Sequence, residues 1–321
     1  MRIPLLSIAT LLLTGCAYVG DPLPPALKVP KPVTDLAVRQ VGGELLVSFT
    51  IPDKTLEDLA LKSIGAVDLK IGVNPKAPFD AERWSDAAKP VATGAVEPGK
   101  VDTKVPVSEW ANQEVVIGVR LGNAKGRMSP WSNFVTLNVM PALARPTQLR
   151  AVATATGVLI DWAAQAKLWK IYRFAEGDKE PVEMATVKEP KFIDIGAAFD
   201  AKYQYTVVSL AGDAVSETSE PVTITPVDTF APTAPQGLSA LAGPTAAQLS
   251  WERNQEPDLA LYRVYRASGD GVFARIAESP SAASYRDAGV KAGQNYRYAV
   301  SAVDRKGNES PKSEPVEIQI P

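Results

Sequence analysis

The chain has 321 residues, with 34 basic and 36 acidic side chains, no histidine and a single cysteine, Cys16. A formal charge of −2 provides no basic field for nucleic acid, and the lack of histidine removes the commonest general base and metal ligand. One cysteine leaves no disulfide and no thiolate metal cluster, and no spacing places the carboxylate pair that acid–base catalysis would otherwise need. The chain therefore reads as a non-enzyme without metal or soluble cofactor. Hydrophobic residues at 45%, with 27 prolines and 22 glycines, suit packed cores made of many short strands and turns.

The first element is an export signal, residues 1–15. Arg2 precedes an apolar run, 3–13, that is too short to cross a hydrocarbon layer of about 30 Å as a helix. It closes on small residues, Thr14 and Gly15, directly before Cys16. The tetrapeptide Leu13-Thr14-Gly15-Cys16 resembles the lipobox of bacterial lipoproteins. That resemblance implies a diacylglycerol on the Cys16 sulfur, cleavage after residue 15, and acylation of the new amino terminus by a palmitate-class chain. The membrane is then a partner through a covalent lipid. Ala17, where an Asp would favour inner-membrane retention, implies the outer membrane in a two-membrane bacterium.

Residues 16–32 follow as a tether. Pro22, Pro24, Pro25, Pro30 and Pro32 lack amide donors and fix φ, so the segment is expected as an extended stalk of about 3.1 Å per residue. Cys16, Gly20, Pro22 and Leu23 are also similar to the start of small lipoproteins that associate with the lipopolysaccharide translocon, with Asp21 interrupting the family's Gly-Pro-Leu run. This second resemblance implies that the mature amino terminus docks into a protein partner.

The remainder repeats. At an offset of about 93 residues, Tyr296-Arg297-Tyr298-Ala299-Val300 meets Tyr203-Gln204-Tyr205-Thr206-Val207, and Tyr262-Arg263-Val264-Tyr265-Arg266 meets Trp169-Lys170-Ile171-Tyr172-Arg173. Tyr285-Arg286-Asp287 likewise meets Phe192-Ile193-Asp194. A more diverged first copy places Val115, Ile117 and Val119 under Tyr296, Tyr298 and Val300, and Gly126, Ser129 and Ser132 under Gly307, Ser310 and Ser313. In chain order the copies predict a proline-flanked first strand at 33–39, 148–154 and 236–241, a second at 45–49, 158–162 and 248–251, and a later alternating strand at 115–121, 203–210 and 296–303. Alternation at period two buries one face of each strand, and turns every 8–12 residues argue for antiparallel β-sandwiches.

Leu249-Ser250-Trp251, the Tyr262 block, and Val300-Ser301-Ala302-Val303-Asp304 followed by Gly307-Asn308-Glu309-Ser310 resemble fibronectin type III domains. The resemblance implies an all-β, immunoglobulin-like architecture in three tandem copies, 33–140, 146–227 and 233–320; the short linkers 141–146 and 226–232, restricted by their prolines, predict that the copies are set out as an extended, semi-rigid rod. It implies core roles for Trp162 and Trp251, with Phe49 in their place in the first copy. It also implies a tyrosine corner at Tyr203 and Tyr296, which Val115 cannot make.

The first copy is the longest, with extra residues at 52–65 and 74–99. Thr55 followed by Asp58 predicts one or two helical turns in the former. Trp84 and Trp110 fall in this copy outside the inner-Trp position, either as a surface pair that stacks on sugar rings or as padding for the side of the sandwich. The functional expectations are a lipid-anchored spacer and protein-binding scaffold, a carbohydrate- or peptidoglycan-binding accessory module, or a subunit of an outer-membrane assembly docking through Gly20, Pro22 and Leu23.

Overall fold

The structure, a computed structural model, describes residues 27–75, 77–94, 97–163, 165–280 and 282–321. The export signal, Cys16, Gly20, Pro22 and Leu23 lie outside the described residues. The chain separates into two compact units, Met1–Pro141 and Ala142–Pro321.

In the first unit β1 (Ala37–Val41), β2 (Glu44–Ile51), β3 (Ala66–Val73), α1 (Ala81–Ala87), β4 (Lys89–Val91), β5 (Gly99–Pro106), β6 (Glu114–Gly122) and β7 (Val135–Asn138) form two facing antiparallel sheets. Their orders are β1-β2-β5 and β4-β3-β6-β7. Alternate residues of β2 (Leu45, Val47, Phe49, Ile51) and of β6 (Val115, Ile117, Val119, Leu121) are buried between them. Each such side chain contributes about 1.5–3 kcal/mol by leaving water. β1 begins later than the pattern predicts because side-chain bonds take the place of a ladder before it. The Leu36 backbone exchanges both its bonds with the Asn133 amide (3.1 and 2.8 Å), and the Asp35 carboxylate accepts from Thr50 N of β2 (2.9 Å).

The second unit holds two sandwiches. In one, β8 (Thr147–Thr154), β9 (Gly157–Ala163), β10 (Trp169–Ala175), β11 (Val182–Val187), β12 (Lys191–Asp194), β13 (Tyr203–Ala211), β14 (Ala214–Val215) and β15 (Val222–Ile224) make sheets ordered β12-β9-β8 and β11-β10-β13-β15. In the other, β16 (Ser239–Ala242), β17 (Ala247–Ser250), β18 (Leu259–Ser268), β19 (Ala274–Ser279), β20 (Ser284–Asp287), β21 (Asn295–Asp304) and β22 (Val316–Gln319) make sheets β16-β17-β20 and β19-β18-β21-β22. Each has its own core, around Trp162, Tyr205 and Ile171, and around Trp251, Tyr262 and Tyr298. The repeat offset thus carries one topology twice. Phe49, Trp162 and Trp251 are all buried, as the alignment requires.

The helix expected from Thr55 does not form. Thr55 N and Leu59 O bond at 2.9 Å, Leu59 N returns to Thr55 Oγ1 at 3.2 Å, and Asp58 takes a left-handed φ of 59°. Thr55 therefore closes a tight turn. The described α-helix is α1, in the other extra stretch, with Asp80 Oδ1 accepting from Arg83 N at 3.0 Å as its N-cap.

Candidate functional site

The repeated polar residues are spent inside the sandwiches. Serine pairs in all three copies accept from the central strand's amides: Ser132 and Ser129 from Val119 N and Leu121 N, Ser219 and Ser216 from Val207 N and Ser209 N, Ser313 and Ser310 from Val300 N and Ala302 N, all at 2.8–3.1 Å. The tyrosine corners form as the resemblance implies. The hydroxyls of Tyr203 and Tyr296 accept from Ala198 N (2.9 Å) and Lys291 N (3.1 Å). In the first copy Val115 makes no such bond; the backbone tie from Asn112 N to Val139 O (2.7 Å) also occurs in the copies that have the corner, as Asp200 N to Pro226 O (2.8 Å) and Gly293 N to Ile320 O (2.9 Å), so it does not replace it.

A constellation with the look of a catalytic triad recurs twice. Tyr205 and Tyr298 donate to Asp194 and Asp287 at 2.8 Å, and Arg173 and Arg266 donate to the same Oδ2 atoms at 2.9 and 2.8 Å. Gly196 N and Gly289 N fill the other carboxylate oxygens. Burial, then the hydrogen bond to the carboxylate, pushes both tyrosine hydroxyls well above their usual range. The groups are closed on one another and act as buried ties between strands.

Trp84 and Trp110 do not form the surface pair that could stack on sugar rings; both are buried. Trp84 is 4% and Trp110 6% exposed. Trp110 belongs to the core between the sheets, with Lys89 Nζ 5.5 Å from its ring centre. Trp84 points from α1 onto the outer face of β3 and β6, where it meets Trp131, Phe134 and Phe79 at ring-centre distances of 5.6, 5.4 and 6.2 Å. Glycines make the room: a Cβ at Gly72 would stand 2.9 Å from Trp84 Nε1, and one at Gly118 only 2.5 Å from the Phe134 ring. Arg120 lies 4.4 Å over Trp131, whose Nε1 donates to Glu82 at 3.0 Å. This is a second, outer core, so the tryptophans serve as padding.

The tether is also shorter than its proline pattern suggests. Residues 27–32 pack on the first sandwich instead of standing free. Lys31 N donates to Lys54 O (3.1 Å), Leu56 N to Val29 O (2.9 Å), and Asn123 Nδ2 to Leu27 O (2.7 Å). Lys31 pairs with Asp58, and Val29 and Val33 are buried. Pro30 and Pro32 need no amide partner, so the remaining backbone groups dock on the 52–65 loop, which the sequence left without a role.

Spacing did not anticipate one further grouping. Asp228, Asp258 and Asp304 bring carboxylate oxygens within 4.8 Å of one another, the first and last buried. Asp304 is occupied by Lys306 N, Asn308 N and Asn308 Nδ2 at 2.8–2.9 Å, and Asp228 by Phe230 N at 3.2 Å. Among the described residues no helix is long and apolar enough to cross a membrane.

Fold and polar ties together define tandem antiparallel β-sandwich modules. Residues 233–319 match the family model of the fibronectin type III domain. The chain is 31% identical over 221 residues to Exoglucanase B of Cellulomonas fimi, across 61% of this chain and 19% of that protein. It is 37% identical over 87 residues to an Amylopullulanase of Thermoanaerobacterium saccharolyticum, across 27% of this chain and 7% of that protein. The chain thus spans a fifth or less of the length of these curated relatives. Among solved structures it is similar to chicken CNTN1 FN1–FN3 domains (16% identity, 91% of this chain, 99% of that chain, TM-score 0.30). It is also similar to an Fn3-like protein from Clostridium thermocellum (35% identity, 29% and 96%, TM-score 0.26).

Proposed function

We propose that this chain is a lipid-anchored, non-enzymatic lipoprotein of the bacterial envelope, held in the outer membrane through Cys16, whose sandwiches act as spacer and protein-binding scaffold. The observation that carries this reading is the fate of the repeated polar groups. Serine pairs, tyrosine corners and Tyr–Asp–Arg ties all close on their own sandwiches, which leaves surfaces and edges as the working parts. Affinity capture of the intact protein from membranes, with mass spectrometry of what accompanies it, tests the scaffold role. Recovery of an envelope protein in stoichiometric yield supports it, and turnover of a substrate by the purified chain refutes it. Crosslinking from positions 20, 22 and 23 tests whether the partner is reached through the mature amino terminus.

The glycoside hydrolases among the relatives favour a second reading, a carbohydrate-associated accessory module. With Trp84 and Trp110 buried, such a module would have to bind glycan through other side chains. Peptidoglycan and glucan pulldowns with the intact chain separate the two readings.

A further inference from the structure

The end of the first sandwich that receives the chain from Cys16 combines exposed apolar and basic side chains. Leu27, Leu56 and Leu59 are 49%, 48% and 43% exposed. They are held side by side: Leu56 N bonds Val29 O, Thr55 N bonds Leu59 O, and Leu27 N bonds Glu57 Oε1 (3.2 Å). Asn123 brings the 122–127 loop to the same end through Leu27 O. On these segments Lys28, Lys54, Lys62, Lys125 and Arg127 are exposed. Among the described residues none of the five stands within salt-bridge distance of a carboxylate; the same segments also carry exposed Asp53, Glu57 and Asp58, the last paired with Lys31 and attracted by Lys54, so that basic groups, Lys31 included, outnumber acidic ones six to three.

We propose that this end is a membrane-contacting surface, and that the first sandwich lies against anionic phospholipid with Leu27, Leu56 and Leu59 entering the headgroup–acyl boundary. The proposal rests on the lipid anchor proposed above. Residues 17–26 separate Cys16 from Leu27, and a chain of that length reaches at most about 40 Å even when fully extended. An acylated Cys16 therefore keeps this end of the sandwich near the bilayer. Exposed leucines beside a net excess of basic side chains match the two components of interfacial binding, apolar burial and attraction to anionic lipid.

The test uses the full chain, matured in cells, purified and reconstituted into phosphatidylethanolamine–phosphatidylglycerol vesicles. Cys16 is the native cysteine, so once it is acylated an introduced Leu59→Cys is the free thiol that takes an environment-sensitive NBD label. Val272→Cys in the third sandwich, 92% exposed, is the control. The expected result is a blue shift at 59, with loss of emission to lipid-borne nitroxide, and neither change at 272. Equal emission at both positions, on protein whose first peptide carries the acyl chains, overturns the docking and leaves the anchor standing. A shift in native membranes but not in pure lipid vesicles assigns the surface to a protein and also overturns it. NBD found on Cys16 itself means no anchor, and both readings fall together. Leu56→Cys repeats the measurement should the label at 59 disturb the turn.

Discussion

Glu309 offers a quantitative handle on the third sandwich. Its Oε1 accepts from Ser301 Oγ at 2.6 Å and from the Tyr265 hydroxyl, and its Oε2 accepts from Arg263 Nη1 at 2.5 Å. Burial works to raise this carboxyl, but the hydrogen bonds from Ser301, Tyr265 and Arg263 prevail and hold it down to about 2, against an ordinary 4.5. At about 1.4 kcal/mol per pH unit that gap caps the contribution near 3 kcal/mol, and partial solvent exposure brings the expectation to about 2 kcal/mol. Glu309→Gln removes the charge and turns an amide NH₂ toward Arg263, so the third sandwich should lose about 2 kcal/mol at neutral pH. The folded value is depressed, so the wild-type advantage is complete above about 4.5 and is lost as pH falls toward 2. The difference between wild type and variant should therefore fall to less than about half by pH 3. Urea unfolding resolved to the third sandwich by pulsed hydrogen exchange reads this directly. A difference as large at pH 3 as at pH 7, or none at pH 7, refutes the reasoning.

Trp84→Ala should cost the first sandwich about 3–5 kcal/mol by emptying the outer aromatic core, measured as a lowered thermal transition of that unit. Its glycan pulldown should equal that of the wild type. Tyr298→Phe should cost about 1–3 kcal/mol, because Asp287 loses one of its donors in a buried site; calorimetry of the second unit checks it. Asn123→Ala removes the bond to Leu27 O and should speed hydrogen exchange across residues 27–33 while leaving β21 unchanged.

Much of the fold was legible because it is local or repeated. Period-two alternation located β2, β6, β13 and β21, and the offset between copies placed Trp162 under Trp251 and Tyr203 under Tyr296. The serine pairs of the first and third copies were visible as aligned letters, although only the structure gives their partners. What was illegible depends on chain segments far apart in sequence. Trp84 fits a surface stack or padding for the sandwich until Gly72 and Gly118 are seen to clear a floor beneath it. The 27–32 segment reads as a free stalk until the turn at Thr55 supplies its backbone partners. Thr55 and Asp58 match a helix cap by spacing, but Asp58 is drawn to Lys31, and the turn closes before a helix can start. Asp228, Asp258 and Asp304 come from separate segments, so no motif announced their approach.

The central claim concerns the amino terminus of the mature protein, and mass spectrometry of its first proteolytic peptide, from protein recovered in the membrane fraction, tests it most directly. The account predicts a peptide that begins at Cys16 and carries a diacylglyceryl group and an amide-linked acyl chain. A peptide that retains residues 1–15 with an unmodified Cys16 thiol would contradict it.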